Sequence, residues 1–572
     1  MMCFSQSLGI GLFLQNGRAI HYAGPGLATL AYFLAGTVIW SSAACLGEMT
    51  ALFPIKGPIY QLPKRFLDES VGYAAAWMTW FGWIVLIAAE LVAITHMFHF
   101  NYPKDLLEAA HYPTSSLSFS PSVAPAVLIL AFIPVVLLLN FLPVKHFGQL
   151  EYLTGCVKMI FLIMMIVMNT VLHSMERVPG EKRFWTYNEP YSWAASNITL
   201  ADRHSVVTGG VGRLAGLWEA MTTAIFGLIG VETVAITAAE NKDLRNEETV
   251  KIATRKICLR LILLYTLATF TVGLNVPYTY PTISDPSVIS FGYGENSAFV
   301  VSMVLNRLNG WPLVVNNFVI FSALSAGING CYNASRTLHA LASDRNAWPD
   351  WSPVQALRTR LERTHYGVPY VAVLVSWLFG WLAFLGSTEN SAVVLGRLVR
   401  CVTVAILIVY GVVCLTYLEF YNIAHAANGD DENVNDKDDP EVRQQFDRNS
   451  AGYPYKSHGQ WLRACFALSG CFLLVFFNGW RSLTPPVNTG DFLGCYISIL
   501  IFMAFIVMYQ IKFHGWNPLN WRRRASRELQ NPQPLVVTNL KRRGRINLES
   551  TDTLFTVGNF NALLHWLWIW LK

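Results

Sequence analysis

Apolar runs near the roughly 20 residues that cross a hydrocarbon core as helix recur along the whole chain. They fall at about 3–20, 27–47, 71–97, 123–143, 150–172, 216–239, 257–275, 311–335, 368–386, 391–420, 461–479 and 491–511. The pattern predicts an all-α integral membrane protein of twelve transmembrane helices. The membrane domain then covers 1–511, with the polar loop 422–460 inside it, and 512–572 forms a tail.

Two runs carry an interruption. In the first, "SQSLGIGLFLQNG" places Gly9 and Gly11 either side of Ile10, and in the sixth stands Gly227-Leu228-Ile229-Gly230. Glycine is costly in a helix interior, and these two breaks occupy corresponding positions in two successive sets of five helices. That is the layout of an inverted repeat, helices 1–5 against 6–10, with discontinuous helices 1 and 6 and two appended helices. Physically, the first break offers backbone N–H donors at a half-helix N-terminus, which suits a carboxylate. The sixth leaves carbonyl oxygens and is followed by Glu232, which suits an ammonium group. A zwitterion fits both ends.

Composition narrows the class. Of 572 residues, 53% are hydrophobic and 14% charged, and mean hydropathy is +0.37, against about 25% charged residues in soluble domains. A water-soluble protein is excluded. Lys and Arg concentrate in the loops after even-numbered helices and in the tail, which puts both termini in the cytosol. Asn197-Ile198-Thr199, a glycosylation acceptor pattern, falls in the long loop on the opposite side. All ten cysteines lie within apolar runs and behave as small apolar residues. Neither a disulfide framework nor metal-ligand spacing is visible. The chain has no phosphate-binding GxxxxGK[ST] loop and no nucleophile and base pair, so direct ATP coupling and enzyme activity both drop out. Secondary transport remains, with no cofactor other than a coupling ion.

The net charge of +6 resides in the cytosolic loops and in "WRRRASR" from Trp521 and "KRRGR" from Lys541. Such clusters beside a last helix bind anionic inner-leaflet lipid rather than nucleic acid. The acidic run "NGDDENVNDKDD" is a solvated loop, and the aromatic end "FNALLHWLWIWLK" is too short to span and reads as an interfacial anchor or a mistranslated extension.

Ionisable residues inside apolar runs are expensive and mark function. Lys158 lies deep in the fifth run, Glu90 in the middle of the third, and Glu48 near the cytosolic end of the second, where Lys64 or Arg65 is the expected partner. A buried lysine titrates readily, so Lys158 is the candidate carrier of a coupling proton. Arg397 and Arg400, three residues apart on one helical face, either select an acidic substrate or sit in the outer interface.

Several motifs carry a family resemblance. They are "GIGLFLQNGRAIHYAGPG" at Gly9, "LGEMTALFPIKGPIYQLPKRFLDESVGYAAAW" at Leu46, "AIFGLIGVETVAITAAENKD" at Ala224, "SALSAGINGCYNASRTLHALA" at Ser322 and "GVPYVAVLVSWLFGWLAFL" at Gly367. In this order they resemble a fungal amino-acid permease, in the yeast amino-acid transporter branch of the amino acid-polyamine-organocation superfamily. The resemblance implies a secondary active transporter of amino acids, working by proton symport with alternating access, at the plasma membrane rather than the vacuole. It implies carboxylate binding by the backbone of Gly9, Ile10 and Gly11, ammonium binding at Leu228, Ile229 and Gly230, and Phe226 as an aromatic closing over the substrate. Lys158 matches a lysine that, in proton-coupled relatives, takes the place of a sodium ion between helices one and eight. Ser322 and Ser325 supply hydroxyls near it. Glu90 matches a family acid, and Glu232 is expected to hold the sixth helix unwound or join the polar coupling.

Departures exist too. Ser5-Gln6 stands where the family has glycines, Arg397 and Arg400 replace apolar or amide residues, and Ala405-Ile406 replaces a small Ser-Gly pair. Little chain precedes the first break, as in a truncated start. The alternatives are therefore a permease-like sensor that binds without transporting, and an inactive truncated paralogue.

Overall fold

In a computed structural model of the chain, residues 2–53, 55, 57–99, 101–114, 117–118, 123–175, 193–195, 197–199, 206–233, 236, 247–283, 297–387, 391–426, 459–484, 487, 489–517 and 521 are described. The acidic run between 427 and 458, the basic clusters that follow Trp521 and begin at Lys541, and the aromatic end lie outside the described residues.

Among the described residues, twelve helical segments follow the twelve apolar runs, and eight of them are long and apolar enough to cross a membrane. The first comprises three pieces, Met2–Ser7, Ile10–Phe13 and Gln15–Ala23. The next four are Pro25–Leu52, Glu69–Phe98, Pro125–Asn140 and Val144–Ser174. The sixth is Gly209–Leu228, the seventh Glu247–Gly273 and the eighth Trp311–Ala342. The ninth begins as Tyr370–Leu378 and tightens into a 3-10 stretch, Phe379–Ser387. Ser391–Ala426, Gln460–Phe476 and Thr489–His514 complete the set. Two short antiparallel ribbons join loops, Asn101–Tyr102 with Leu117–Ser118 and Asn197–Thr199 with Val206–Thr208.

Local signals account for several boundaries. Proline occupies the first turn of the second, fourth and eighth spans, where its missing N–H costs nothing. The Asp68 side chain caps the third span, accepting from the Ser70 N–H at 2.7 Å. The seventh span starts about ten residues before its apolar run, because the charged segment from Glu247 is also helical.

Burial separates inner from outer spans. In the third, 83% of the apolar window is buried inside the protein, against 17% in the twelfth. The third packs along the eighth and tenth, and the second along the seventh. One face of the fifth span, Leu153, Val157, Ile160 and Val167, is exposed. Its opposite face turns Glu151, Lys158, Leu162 and Met165 inward. This stripe pattern places lipid on one side of the helix and the bundle interior on the other.

Candidate functional site

The first and sixth spans break where the glycines stand, and the two breaks meet. The first span loses helix at Leu8 and Gly9, then again at Leu14. The sixth ends at Leu228, Ile229 is extended (φ −65°, ψ 144°) and Gly230 takes φ +112°, a region that other residues enter only under strain. A Cβ on Gly11 would fall within 2.6 Å of the Gly227 nitrogen and 3.1 Å of the Phe226 carbonyl carbon. The two backbones therefore cross in direct contact, which requires glycine at 11, while a Cβ on Gly227 would be a tight fit at 3.1 Å from the Gly11 carbonyl carbon. Buried Phe226 flanks the crossing.

The carboxylate of Glu232 folds back onto the sixth-span break. Its Oε2 accepts from the Gly230 N–H at 3.1 Å and from the Tyr410 hydroxyl of the tenth span. An orphaned backbone donor is thereby satisfied inside the bundle, as unwound helix in a membrane requires.

Lys158 sits 14 residues beyond Val144, about 21 Å along the helix at 1.5 Å per residue, and is fully buried. It does not snorkel. Its ammonium donates to the carbonyl oxygens of Ser5 (2.6 Å), Leu8 (2.8 Å) and Ser322 (3.0 Å), which uses all three of its protons. The Leu8 carbonyl also accepts from the Ser322 hydroxyl at 2.5 Å. The Ser5 and Leu8 carbonyls are freed by the end of the half-helix Met2–Ser7, where the helix dipole favours a cation, whereas Ser322 lies within the eighth span. The Ser325 hydroxyl lies 3.2 Å from that of Ser5.

Glu90 reaches the same break from the third span. Its carboxyl accepts from the Ile10 N–H, and its Cδ lies 3.2 Å from where a Cβ on Gly9 would stand. One of the three donors that sequence reasoning left open for a substrate carboxylate, the Ile10 N–H, thus already holds a side-chain carboxyl, and another, the Gly9 N–H, donates to the Ser7 carbonyl at 3.0 Å. The second Glu90 oxygen, Oε2, is buried without a partner among the described residues.

Three further polar contacts at the breaks escaped sequence reasoning. The Gln6 Oε1 accepts from the Thr233 hydroxyl and the Asn333 amide, both at 2.6 Å, so the departure at position 6 ties the two breaks together and to the eighth span. Asn329 donates to Glu151 Oε2 at 2.6 Å. Asn329 and Asn333, four apart on one face of the eighth helix, were the available signal for the contacts that they make.

Other expected residues lie elsewhere. Arg397 donates to Asp491 of the twelfth span at 2.9 Å, with both side chains more than a third exposed. Arg400 reaches Cys495 on the same span and lines a small cavity with Gln15, Arg18, Glu219 and Asn478. Asn197 pairs with Thr208 in a ribbon. Of the two partners expected for Glu48, Lys64 or Arg65, Lys64 goes elsewhere: it binds Asp344 after the eighth span, and Glu48 accepts from Tyr417 at 2.7 Å. Burial pushes the Asp344 carboxyl up, but bonds from Lys64 and Tyr60 outweigh it and hold it below the ordinary carboxylate value. Beside this contact a cavity of about 690 Å³ is lined by Tyr60, Thr79, Lys145, Arg336, His339 and Tyr366, among others.

Crossed broken helices around a buried lysine, within twelve spans, define a multi-pass membrane transporter. The chain belongs to the amino acid permease family, whose model matches residues 1–433. It is similar to a probable lysine/arginine permease of Candida albicans, at 24% identity over 90% of this chain and 80% of that protein. A basic amino-acid permease of Saccharomyces cerevisiae is 26% identical over 90% and 79%. A proline-specific permease of Emericella nidulans is 27% identical over 92% and 85%. These relatives are permeases rather than enzymes, and amino-acid transport is the activity that the family supports.

Proposed function

We propose that this chain carries amino acids across a membrane by proton symport with alternating access. The observation that supports this reading most is the seat of Lys158, whose charge holds the first-span break against the eighth span. Loss of that charge weakens three ammonium–carbonyl bonds, each worth about 1.5–3 kcal/mol when a charged group takes part. The first half-helix is then free to move, so protonation and alternating access share one element.

In this reading the substrate carboxylate takes the N–H groups of Gly9, Ile10 and Gly11, displacing Glu90. Its ammonium group meets the carbonyls at Leu228 to Gly230, beneath Phe226. The displaced Glu90 carboxyl favours a cationic substrate side chain, in line with the names of two of the relatives above, a probable lysine/arginine permease and a basic amino-acid permease. Both termini face the cytosol of a plasma-membrane protein, and the basic tail clusters adhere to anionic inner-leaflet lipid.

The test is uptake of labelled amino acids by permease-deficient cells expressing the chain, with and without an inward proton gradient. Gradient-dependent accumulation supports the reading. Binding without uptake converts the protein into a sensor, and neither binding nor uptake into an inactive paralogue.

A further inference from the structure

Glu151 has no place in the site as described so far, yet it is a fully buried carboxylate within the bundle. It lies seven residues before Lys158 on the fifth span, two turns away on the same helical face. Side chains on a helix lean toward its N-terminus, so Lys158 leans toward Glu151. Between them stands Ser5. The Ser5 carbonyl accepts from the Lys158 ammonium at 2.6 Å, and the Ser5 side chain lies close enough to the Glu151 carboxyl to stabilise its charge. The Ser5 hydroxyl also lies 3.2 Å from Thr154 Oγ1 and from Ser325 Oγ. Asn329 holds one Glu151 oxygen, and the other, Oε1, is buried without a partner among the described residues. An incompletely satisfied carboxylate costs several kcal/mol in such surroundings, and an apolar residue fills the space without that penalty.

One turn further toward Val144, Phe147 stacks on Tyr332 of the eighth span, with centroids 4.6 Å apart and rings 8° from parallel. Beyond this stack, Val144 and Lys145 line the cavity of about 690 Å³. The order along the fifth span is therefore lysine, serine bridge, carboxylate, aromatic plug, cavity.

We propose that Ser5 and Glu151 are the exit by which the coupling proton leaves Lys158 toward that cavity, an inference that rests on the proton-symport reading above. Once its bond to the Ser5 carbonyl is released, the Lys158 ammonium turns to the hydroxyl of the same residue and passes one proton through it, the hydroxyl accepting one and releasing one, to the Glu151 carboxylate. A neutral amine and a carboxylic acid result. When the Phe147–Tyr332 stack parts, the acid gives its proton to water in the cavity and returns to carboxylate, and Lys158 is recharged from the substrate side. Among the described residues, the charged groups that bear on this pair are Glu151 and Lys158 themselves and Glu90 of the third span.

Glu151→Gln tests the proposal, because glutamine keeps an acceptor for Asn329 and carries no titratable proton. Two readouts are taken on reconstituted full-length protein with a labelled amino acid. One is accumulation driven by an imposed pH gradient, and the other is substrate counterflow at equal pH. In the variant, gradient-driven accumulation falls by a factor of about 100 or more, the usual worth of a positioned acid–base group, while counterflow persists. Glu151→Asp recovers part of the accumulation and shifts its pH profile. Wild-type accumulation in Glu151→Gln overturns the proposal, and so does an equal loss of counterflow, which makes Glu151 a packing residue. Absence of gradient-driven accumulation in the wild type defeats the symport reading itself, so the two failures are told apart by which protein shows them.

Discussion

Gly11→Ala perturbs the crossing of the two broken helices with a single methyl group. The added Cβ would meet the Gly227 nitrogen at 2.6 Å, with the Gly227 Cα nearer still, and both belong to backbone that cannot rotate away. Carbon atoms in contact settle at about 3.5–4.0 Å, so the two spans must separate by roughly 1 Å. Overpacking of this kind costs about 1–3 kcal/mol in stability. The larger consequence is functional, since a 1 Å misplacement at a reacting or binding geometry is worth about 100-fold. Gly148→Ala is the control, because nothing lies within 4 Å of its Cβ. Both variants are assayed by initial uptake of a labelled amino acid, normalised to protein in the membrane, and by thermal unfolding in detergent. Gly11→Ala is expected to lose uptake about 100-fold with a modest fall in Tm, and Gly148→Ala to match the wild type in uptake. Wild-type uptake by Gly11→Ala refutes the direct backbone crossing.

The other predictions concern contacts around the same centre. Gln6→Ala removes the acceptor shared by Thr233 and Asn333, while the Asn333 amide keeps its bond to the Thr233 hydroxyl at 3.0 Å; losing the shared acceptor in this buried cluster costs about 1–3 kcal/mol, read as a lower Tm and increased reactivity of a cysteine placed on the Met2–Ser7 helix. Glu90→Gln should weaken competition by lysine and arginine more than by neutral amino acids, and an equal change for both removes Glu90 from side-chain recognition. Asp344 is held below its ordinary value, so its contribution to stability is present above the unfolded carboxylate pKa, near 4, and is lost as pH falls through the folded value. Tm measured downward from pH 5 should therefore fall less steeply in Asp344→Asn than in the wild type.

The spans were legible because membrane crossing imposes a length and a polarity on each helix, and no tertiary information is needed to read either. The breaks were legible as glycine pairs. Their meeting point was legible only as an expectation, since contact between Gly11 and Gly227 depends on packing over more than 200 residues of chain. Glu151 was missed for a local reason: the fifth apolar run begins at about 150, whereas the helix begins at Val144, so a residue two turns inside looked like a boundary residue. Gln6 stood out as a departure, but its partners lie on two other spans. Lys64 or Arg65 was the expected partner of Glu48 on the preceding span, and the fold offers Lys64 to Asp344 instead, 280 residues away. Hydrophobic pattern thus reports which faces are buried, while polar pairing across spans is set by tertiary geometry.

The central claim is that the Lys158 ammonium links proton movement to the motion of the first span. The direct measurement is proton flux into proteoliposomes on addition of a transported amino acid, in wild type and Lys158→Met. The account predicts substrate-dependent proton entry in the wild type and its loss in Lys158→Met. Equal substrate-dependent proton entry in both proteins contradicts it.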